Sequence, residues 1–172
     1  VQPKEAQRPR GAQADALVEG RNLVRRRNYV ACHEIEADGG DYVALVDDPS
    51  LAPPMLTPQG AKVKPDWMYA FFKGPITIRP WLQVRMPTFG LEDQHWNEVI
   101  DYFAAVSDSI GEFRTHDVSA STEVLRTGEE LFDLLRCQQC HVLDTIPDDQ
   151  PLENLAPDLR MSPERLQPDW VV

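Results

Sequence analysis

The sequence predicts an all-α fold built from two tandem copies of one small domain, the second of them incomplete. Two observations predict it. Four landmarks recur in the same order along the chain, and apolar residues at helical spacing precede or follow those landmarks in both copies.

The repeat comes first, because a fixed internal period decides the organisation of a chain before any local pattern does. Gly20 lies twelve residues before Cys32, and Gly128 lies twelve before Cys140. A histidine follows each of those cysteines, His33 and His141. Leu51-Ala52-Pro53 then matches Leu155-Ala156-Pro157, and Pro65-Asp66-Trp67 matches Pro168-Asp169-Trp170. The offset between copies drifts only from 108 to 103. The first copy continues past its tryptophan through Arg85-Met86-Pro87 and a final helix, whereas the second stops one turn into that stretch. The expected layout is an N-terminal arm at 1–14, a first domain at 15–107, a linker at 108–120 and a partial second domain at 121–172.

The elements follow in chain order. Ala16, Leu17, Gly20, Leu23 and Val24 form one helical stripe leading to the first Cys-His pair. A short helix begins near Pro65 and stops at Gly74-Pro75, with proline at a first-turn position it tolerates. Another begins near Asp93 and places Trp96, Val99, Tyr102, Phe103 and Val106 on one face. In the second copy Ser121 or Thr122 caps a helix carrying Val124, Leu125, Gly128, Leu131, Phe132 and Leu135. Gly20 and Gly128 fall inside helices, where glycine costs about 1 kcal/mol relative to alanine. A close helix crossing would compensate for that cost.

Composition excludes some functions. The formal net charge is −11, from 28 acidic against 17 basic residues. That disfavours nucleic-acid binding, which depends on neutralising phosphates. It suits docking to a partner with a basic rim, and it equally suits a merely solvated acidic surface. An apolar fraction of 42% is ordinary for a water-facing protein, and 15 prolines imply many loops. No apolar run is long enough to span a bilayer, so no transmembrane segment is expected in this chain. The N-terminus lacks the basic-then-apolar pattern of a secretion signal.

The chemistry is carried by the cysteines. There are three, Cys32, Cys137 and Cys140, an odd number that does not look like a disulfide framework. Cys137-Gln138-Gln139-Cys140-His141 has the order of a covalent haem attachment site. Two thiols can add across the haem vinyls, and the histidine then reaches the iron. A zinc site would need one more ligand, with His116 the only nearby choice. A thioredoxin-like redox pair wants a βαβ setting, and a structural disulfide leaves both the adjacent histidine and the repeat unexplained. The first copy reads Tyr29-Val30-Ala31-Cys32-His33, with tyrosine where the first cysteine would stand. One thioether through Cys32 would tether a haem there, with His33 on the iron; the alternative is a module that has lost its haem.

Met86 is the candidate sixth ligand of the first haem. It lies 53 residues after His33, in the segment 79–87 that no helix or strand pattern claims. A thioether is a soft neutral ligand, and a Met/His pair raises the iron's potential; the competing role for a methionine is gap-filling in a core. Met55 and Met68 read as packing residues, and His95 and His116 as surface or helix-face histidines. The second haem has no matching methionine, since Met161 lies too near Leu-Ala-Pro. An axial histidine needs an acceptor on its other ring nitrogen, and the carbonyls of Pro53 and Pro157 are the candidates. Trp67, Tyr69, Phe72, Trp81 and Phe89 would wall the first pocket, or simply pack a core. Arg79 and Arg85 could pair with haem propionates, or be solvated.

On these residues the chain resembles the class I c-type cytochrome family in its bacterial tandem, dihaem form. The resemblance rests on Gly20, Cys32-His33, Ala52-Pro53, Met86-Pro87 and Tyr102 in the first copy. In the second it rests on Gly128, Phe132, Cys137, Cys140, His141, Pro157 and Leu159. It covers 16–106 fully and 121–172 in part. It implies domains of a few helices wrapped around haem c, first and last helices crossing near the glycine, Met/His-ligated iron, and a haem edge exposed to partners. Two haems c are implied, the first held by one thioether. Family membership also implies a periplasmic or extracytoplasmic location, because haem is attached there. The expected function is electron transfer, with redox partner proteins that include other subunits of a membrane-bound respiratory or photosynthetic complex, rather than catalysis by this chain alone. The rivals are a dihaem peroxidase-like enzyme, which needs an open iron position, and a structural subunit whose first module lacks haem.

Overall fold

The computed structural model describes residues 10–107, 120–142, 145–146 and 148–171. Helices dominate. The first, α1 (Arg10–Arg26), starts inside the segment expected to be an arm. Its Leu23 and Val24 are buried, and Gly20 between turns meets the final helix of the first module. After a 3₁₀ turn at Tyr29–Ala31 comes a hairpin that the all-α expectation did not include: β1 (Glu34–Ile35) pairs antiparallel with β2 (Asp38–Gly39). Then follow α2 (Gln59–Lys62), α3 (Pro65–Lys73) and α4 (Asp93–Val106). The segment 79–87 holds neither helix nor strand.

The first module's core forms where α1, α3 and α4 meet. Leu23, Val24, Met68, Phe72, Trp96, Val99, Tyr102 and Phe103 are all buried there. Phe72 stacks on Trp96 with centroids 5.2 Å apart. The crossing of α1 on α4 is close: a Cβ added to Gly20 would lie 2.1 Å from the Cβ of Tyr102. That approach explains a helix-interior glycine whose intrinsic propensity is poor. Gly60 of α2 serves the same end, since a Cβ there would sit 2.2 Å from the Phe103 carbonyl oxygen.

The hairpin turn carries two non-glycine residues with positive φ, Glu36 at 54° and Ala37 at 62°. Such backbone is costly for side-chain-bearing residues. Its anchors come from elsewhere in the module. The Glu36 amide donates to Thr57 Oγ1 at 2.9 Å, and its carboxylate accepts from Arg21 at 2.8 and 2.7 Å and from the Tyr102 hydroxyl at 2.8 Å.

The second module repeats the beginning of the first. Helix α5 (Thr122–Leu134) is capped by Ser121, whose hydroxyl accepts from the Val124 amide at 3.3 Å. A 3₁₀ turn follows at Cys137–Gln139, then the short helices α6 (Ser162–Arg165) and α7 (Pro168–Val171).

The two modules meet through matching positions. Val63 and Leu166 pair in an antiparallel bridge. The Lys64 amide donates to the Arg165 carbonyl and the Gln167 amide to the Lys62 carbonyl, each at 2.9 Å. Lys62, Val63 and Lys64 stand 103 positions before Arg165, Leu166 and Gln167, so each edge bonds its own counterpart. The same reciprocity governs the cations: the Arg165 guanidinium lies 5.2 Å from the Trp67 ring centre, and the Lys62 ammonium lies 5.8 Å from that of Trp170. Trp81 and Leu82 pack with Val142 and Leu155 in a second buried cluster spanning the boundary. The result is a local pseudo-two-fold contact, the intrachain form of an isologous interface. Among the described residues, no helix is long and apolar enough to cross a membrane.

Candidate functional site

The two Cys-His turns have one backbone design. Each is entered through a left-handed residue, Asn28 at φ 58° and Arg136 at φ 54°. In the first turn the amides of Cys32 and His33 donate to the Tyr29 carbonyl at 3.1 and 2.9 Å; in the second those of Cys140 and His141 donate to the Cys137 carbonyl at 3.2 and 2.9 Å. Tyrosine in place of cysteine therefore leaves the turn intact. Its side chain takes a different role: Tyr29 is buried and stacks on Phe89 at 4.7 Å, with its hydroxyl lacking a hydrogen-bond partner. Burial pushes that phenol well above its ordinary pKa.

Both histidines are held in the same way. Nδ1 of His33 lies 2.7 Å from the carbonyl oxygen of Pro54, and Nδ1 of His141 lies 2.7 Å from that of Pro157. A carbonyl can only accept, so each Nδ1 must carry the proton and donate it. In the neutral ring Nε2 then keeps its lone pair, the tautomer a metal ligand needs. Burial pushes His33 below the usual imidazole range, opposed by its bond to Pro54, and the nearby Arg79 charge pushes it the same way. The site thus favours the uncharged ring.

The acceptor in the first module corrects the expectation, which was Pro53. The Leu-Ala-Pro match sets the copies one residue out of register; the Pro-Asp-Trp offset of 103 aligns Pro54 with Pro157. Loop chemistry gives the reason. In the second module the Ala156 amide donates to the Cys140 carbonyl at 2.8 Å, tying the loop to the turn. Its counterpart is Pro53, which has no N–H to give. Carrying the offset of 103 backward through the loop would have found Pro54 from sequence.

All three cysteines are free thiols, so Cys137 and Cys140 are available for covalent attachment. Among the described residues no group of three or more His, Cys, Asp or Glu side chains is placed to hold a bare metal ion. His116 and most of the expected linker lie outside the described residues. The anchored rings, the free thiols and the repeated turn fit the haem expected from the motif.

The remaining expected site residues scatter. Met86, in the irregular segment before α4, is half-buried against the first core, as are Phe89 of the same segment and Trp67 and Tyr69 of α3. Phe72 lies fully within that core. Tyr69 sits under the Lys73 ammonium, 5.3 Å from its ring centre, and Trp67 stacks on Phe71 at 4.9 Å. Trp81 belongs to the boundary cluster. Arg79 donates to the carbonyls of Ser50 at 2.9 Å and Ala52 at 2.8 Å, next to the loop that anchors His33. Arg85 donates to the carbonyls of Leu82, Val84 and Pro80, closing its own loop. Leu159 is exposed. Met55, expected to pack, is instead half exposed at 50%, whereas Met68 is buried. His95 is half-buried on α4. Sequence reasoning missed Pro54, and with it the boundary residues Lys62 and Arg165, which reach across only because the modules pair edge to edge.

No family model matches the chain, and no curated protein or solved structure matches it.

Proposed function

We propose that the chain is an electron-transfer protein of the tandem c-type cytochrome kind, carrying two haems c. One observation supports this reading above the others: two histidines, each directly after a cysteine, have Nδ1 donated to a proline carbonyl at the same 2.7 Å. That leaves Nε2 of each free to face a metal.

In this reading Cys137 and Cys140 hold the second haem through two thioethers, and Cys32 holds the first through one. His33 and His141 are the proximal ligands, and Met86 is the sixth ligand of the first iron. When bound, the haem supplies one-electron exchange between ferrous and ferric iron. The chain's own residues do the rest. The Pro54 and Pro157 carbonyls fix ring orientation and keep the imidazoles basic towards metal. Burial around His33 lowers the local dielectric, and a Met/His pair raises the potential. The acidic surface suits a basic redox partner, such as another subunit of a membrane-bound respiratory or photosynthetic complex at the extracytoplasmic face.

Haem per chain, measured as the pyridine haemochrome of protein matured in a haem-attaching host, tests the proposal. Two haems are expected. One should show a red-shifted α band, because a single thioether leaves one vinyl conjugated with the ring. No covalent haem would overturn the reading. A second reading, a first module without haem, is favoured by one feature: Tyr29 is buried against Phe89 in the position of the missing cysteine. One haem per chain, with the unshifted band alone, would establish it.

A further inference from the structure

Tyr29 departs from the repeat at its most chemical position, and its surroundings give the departure a use. It stands where the second module has Cys137, at the start of the same turn. Its carbonyl accepts from the amides of Cys32 at 3.1 Å and His33 at 2.9 Å, so its backbone is fixed to the histidine turn. Its side chain reaches elsewhere. Tyr29 is 2% exposed and its ring lies on Phe89, with centroids 4.7 Å apart and planes inclined by 14°. A ring pair of that kind contributes beyond the area it buries.

Phe89 belongs to the other half of the first module's site. It follows Met86 by three residues, and Gly90 at φ 60° then turns the chain toward α4, with Leu91 buried. The segment carrying Met86 has no helix or strand to hold it. Arg85 closes it on itself through the carbonyls of Val84 at 3.0 Å and Pro80 at 3.2 Å. Arg79 ties its beginning to the carbonyls of Ser50 and Ala52, beside the loop that anchors His33. At its far end stands the Phe89 ring on Tyr29. Met86 lies between these two attachments.

The Tyr29 hydroxyl adds nothing to the contact. It is buried, and among the described residues it has no hydrogen-bond partner, which is costly for a polar group. What the position uses is the ring.

We propose that the Tyr29–Phe89 stack clasps the Met86 segment to the His33 turn, and so sets how firmly methionine holds the first module's iron. This rests on the haem reading above. Its new content is a role for the residue that replaces the cysteine: the position gives up a thioether and gains a contact with the segment bearing the sixth ligand. Tyr29 and Phe89 are positioning residues, acting through His33 and Met86, and neither is an iron ligand.

The experiment is an imidazole titration of the full-chain ferric holoprotein, following loss of the near-red methionine–iron band. That band reports the first iron, since no methionine matches Met86 in the second module of this chain. Imidazole competes with Met86, so its apparent affinity rises by the factor by which the clasp favoured methionine. Tyr29→Leu and Phe89→Leu should each raise that affinity about two- to tenfold, the worth of one aromatic pair. The double variant should go no further than the singles, because the two rings share one contact. Tyr29→Phe keeps the stack and should titrate as the wild type does. If Tyr29→Leu fails to fold, Phe89→Leu, at a half-buried position, carries the same comparison. Two haems per chain with unchanged imidazole affinity in the leucine variants would overturn the inference and leave the electron-transfer reading standing. A rise in Tyr29→Phe as large as that in Tyr29→Leu would also overturn it, since the hydroxyl would then be the acting group. One haem per chain would overturn the inference and the two-haem reading together.

Discussion

The two modules begin with the same element and treat it in opposite ways. In the first, α1 lies under α4, and Gly20 is pressed against Tyr102 so closely that a methyl group would overlap it. In the second, α5 carries its glycine at the same distance from the cysteine, yet among the described residues a Cβ on Gly128 would meet nothing within 4 Å. The apolar face around it is open as well: Leu125 is 63% exposed and Leu135 69%. Identical local sequence logic therefore gives a helix packed under a partner in one module and, among the described residues, an uncovered one in the other. The difference shows that the glycine is a receptor for a crossing helix, and that only the presence of the second helix turns it into a stabilising feature.

The largest test of that contrast compares aromatic anchors. Trp96 is 1% exposed and stacked on Phe72, so Trp96→Ala should cost the first module about 3–5 kcal/mol. Phe132→Ala, at a half-buried position on α5, should cost well under half of that. Denaturant unfolding of the full chain, followed by tryptophan fluorescence and far-ultraviolet dichroism, gives both values. Similar costs for the two would erase the distinction.

A sharper test uses one substitution twice. Gly20→Ala forces α1 and α4 apart and should destabilise by about 1–3 kcal/mol, as overpacking does. Gly128→Ala meets open space and should stabilise α5 by up to about 1 kcal/mol through helix propensity. Opposite signs in the unfolding midpoints are expected. Destabilisation by Gly128→Ala in this same chain would show that α5 is covered.

The smallest effect concerns pH. In the first module Arg21, ahead of the Tyr102 hydroxyl, holds the Glu36 carboxylate below its ordinary range. A depressed folded pKa means that the stabilisation is present above the unfolded carboxylate value and is lost as pH falls through the folded one. Because the pair is partly solvated, with Arg21 36% and Glu36 31% exposed, the effect should stay below about 1 kcal/mol. Glu36→Gln should flatten that acid-side slope of stability. An unchanged slope between pH 5 and 2, roughly the carboxylate range, would remove this ion pair from the account.

Much of this was legible in the sequence. The stripe on α4, the Ser121 cap, the end of α3 at Gly74 and the twin Cys-His turns all follow from local rules, because each depends on neighbours within a turn or two. What escaped depends on distant partners. The hairpin turn at Glu36-Ala37 has no turn-forming residues and is held by Thr57, Arg21 and Tyr102, which no local pattern connects to it. The acceptor Pro54 was missed by one position because repeated letters, Leu-Ala-Pro, were weighted above the loop's spacing. Tyr29 shows a third limit: its replacement of a cysteine is plain in the sequence, but its stacking on Phe89 is a matter of packing.

The edge-to-edge bridge between modules has a consequence for assembly. An extended segment with unpaired amides can pair with further copies as a strand edge does, and the duplicated chain has two such segments, at Val63 and Leu166. Here each edge spends its amide on the other, Lys64 on Arg165 and Gln167 on Lys62. Like two hands clasped, the contact closes on itself and offers no free end at which a growing stack of chains could begin.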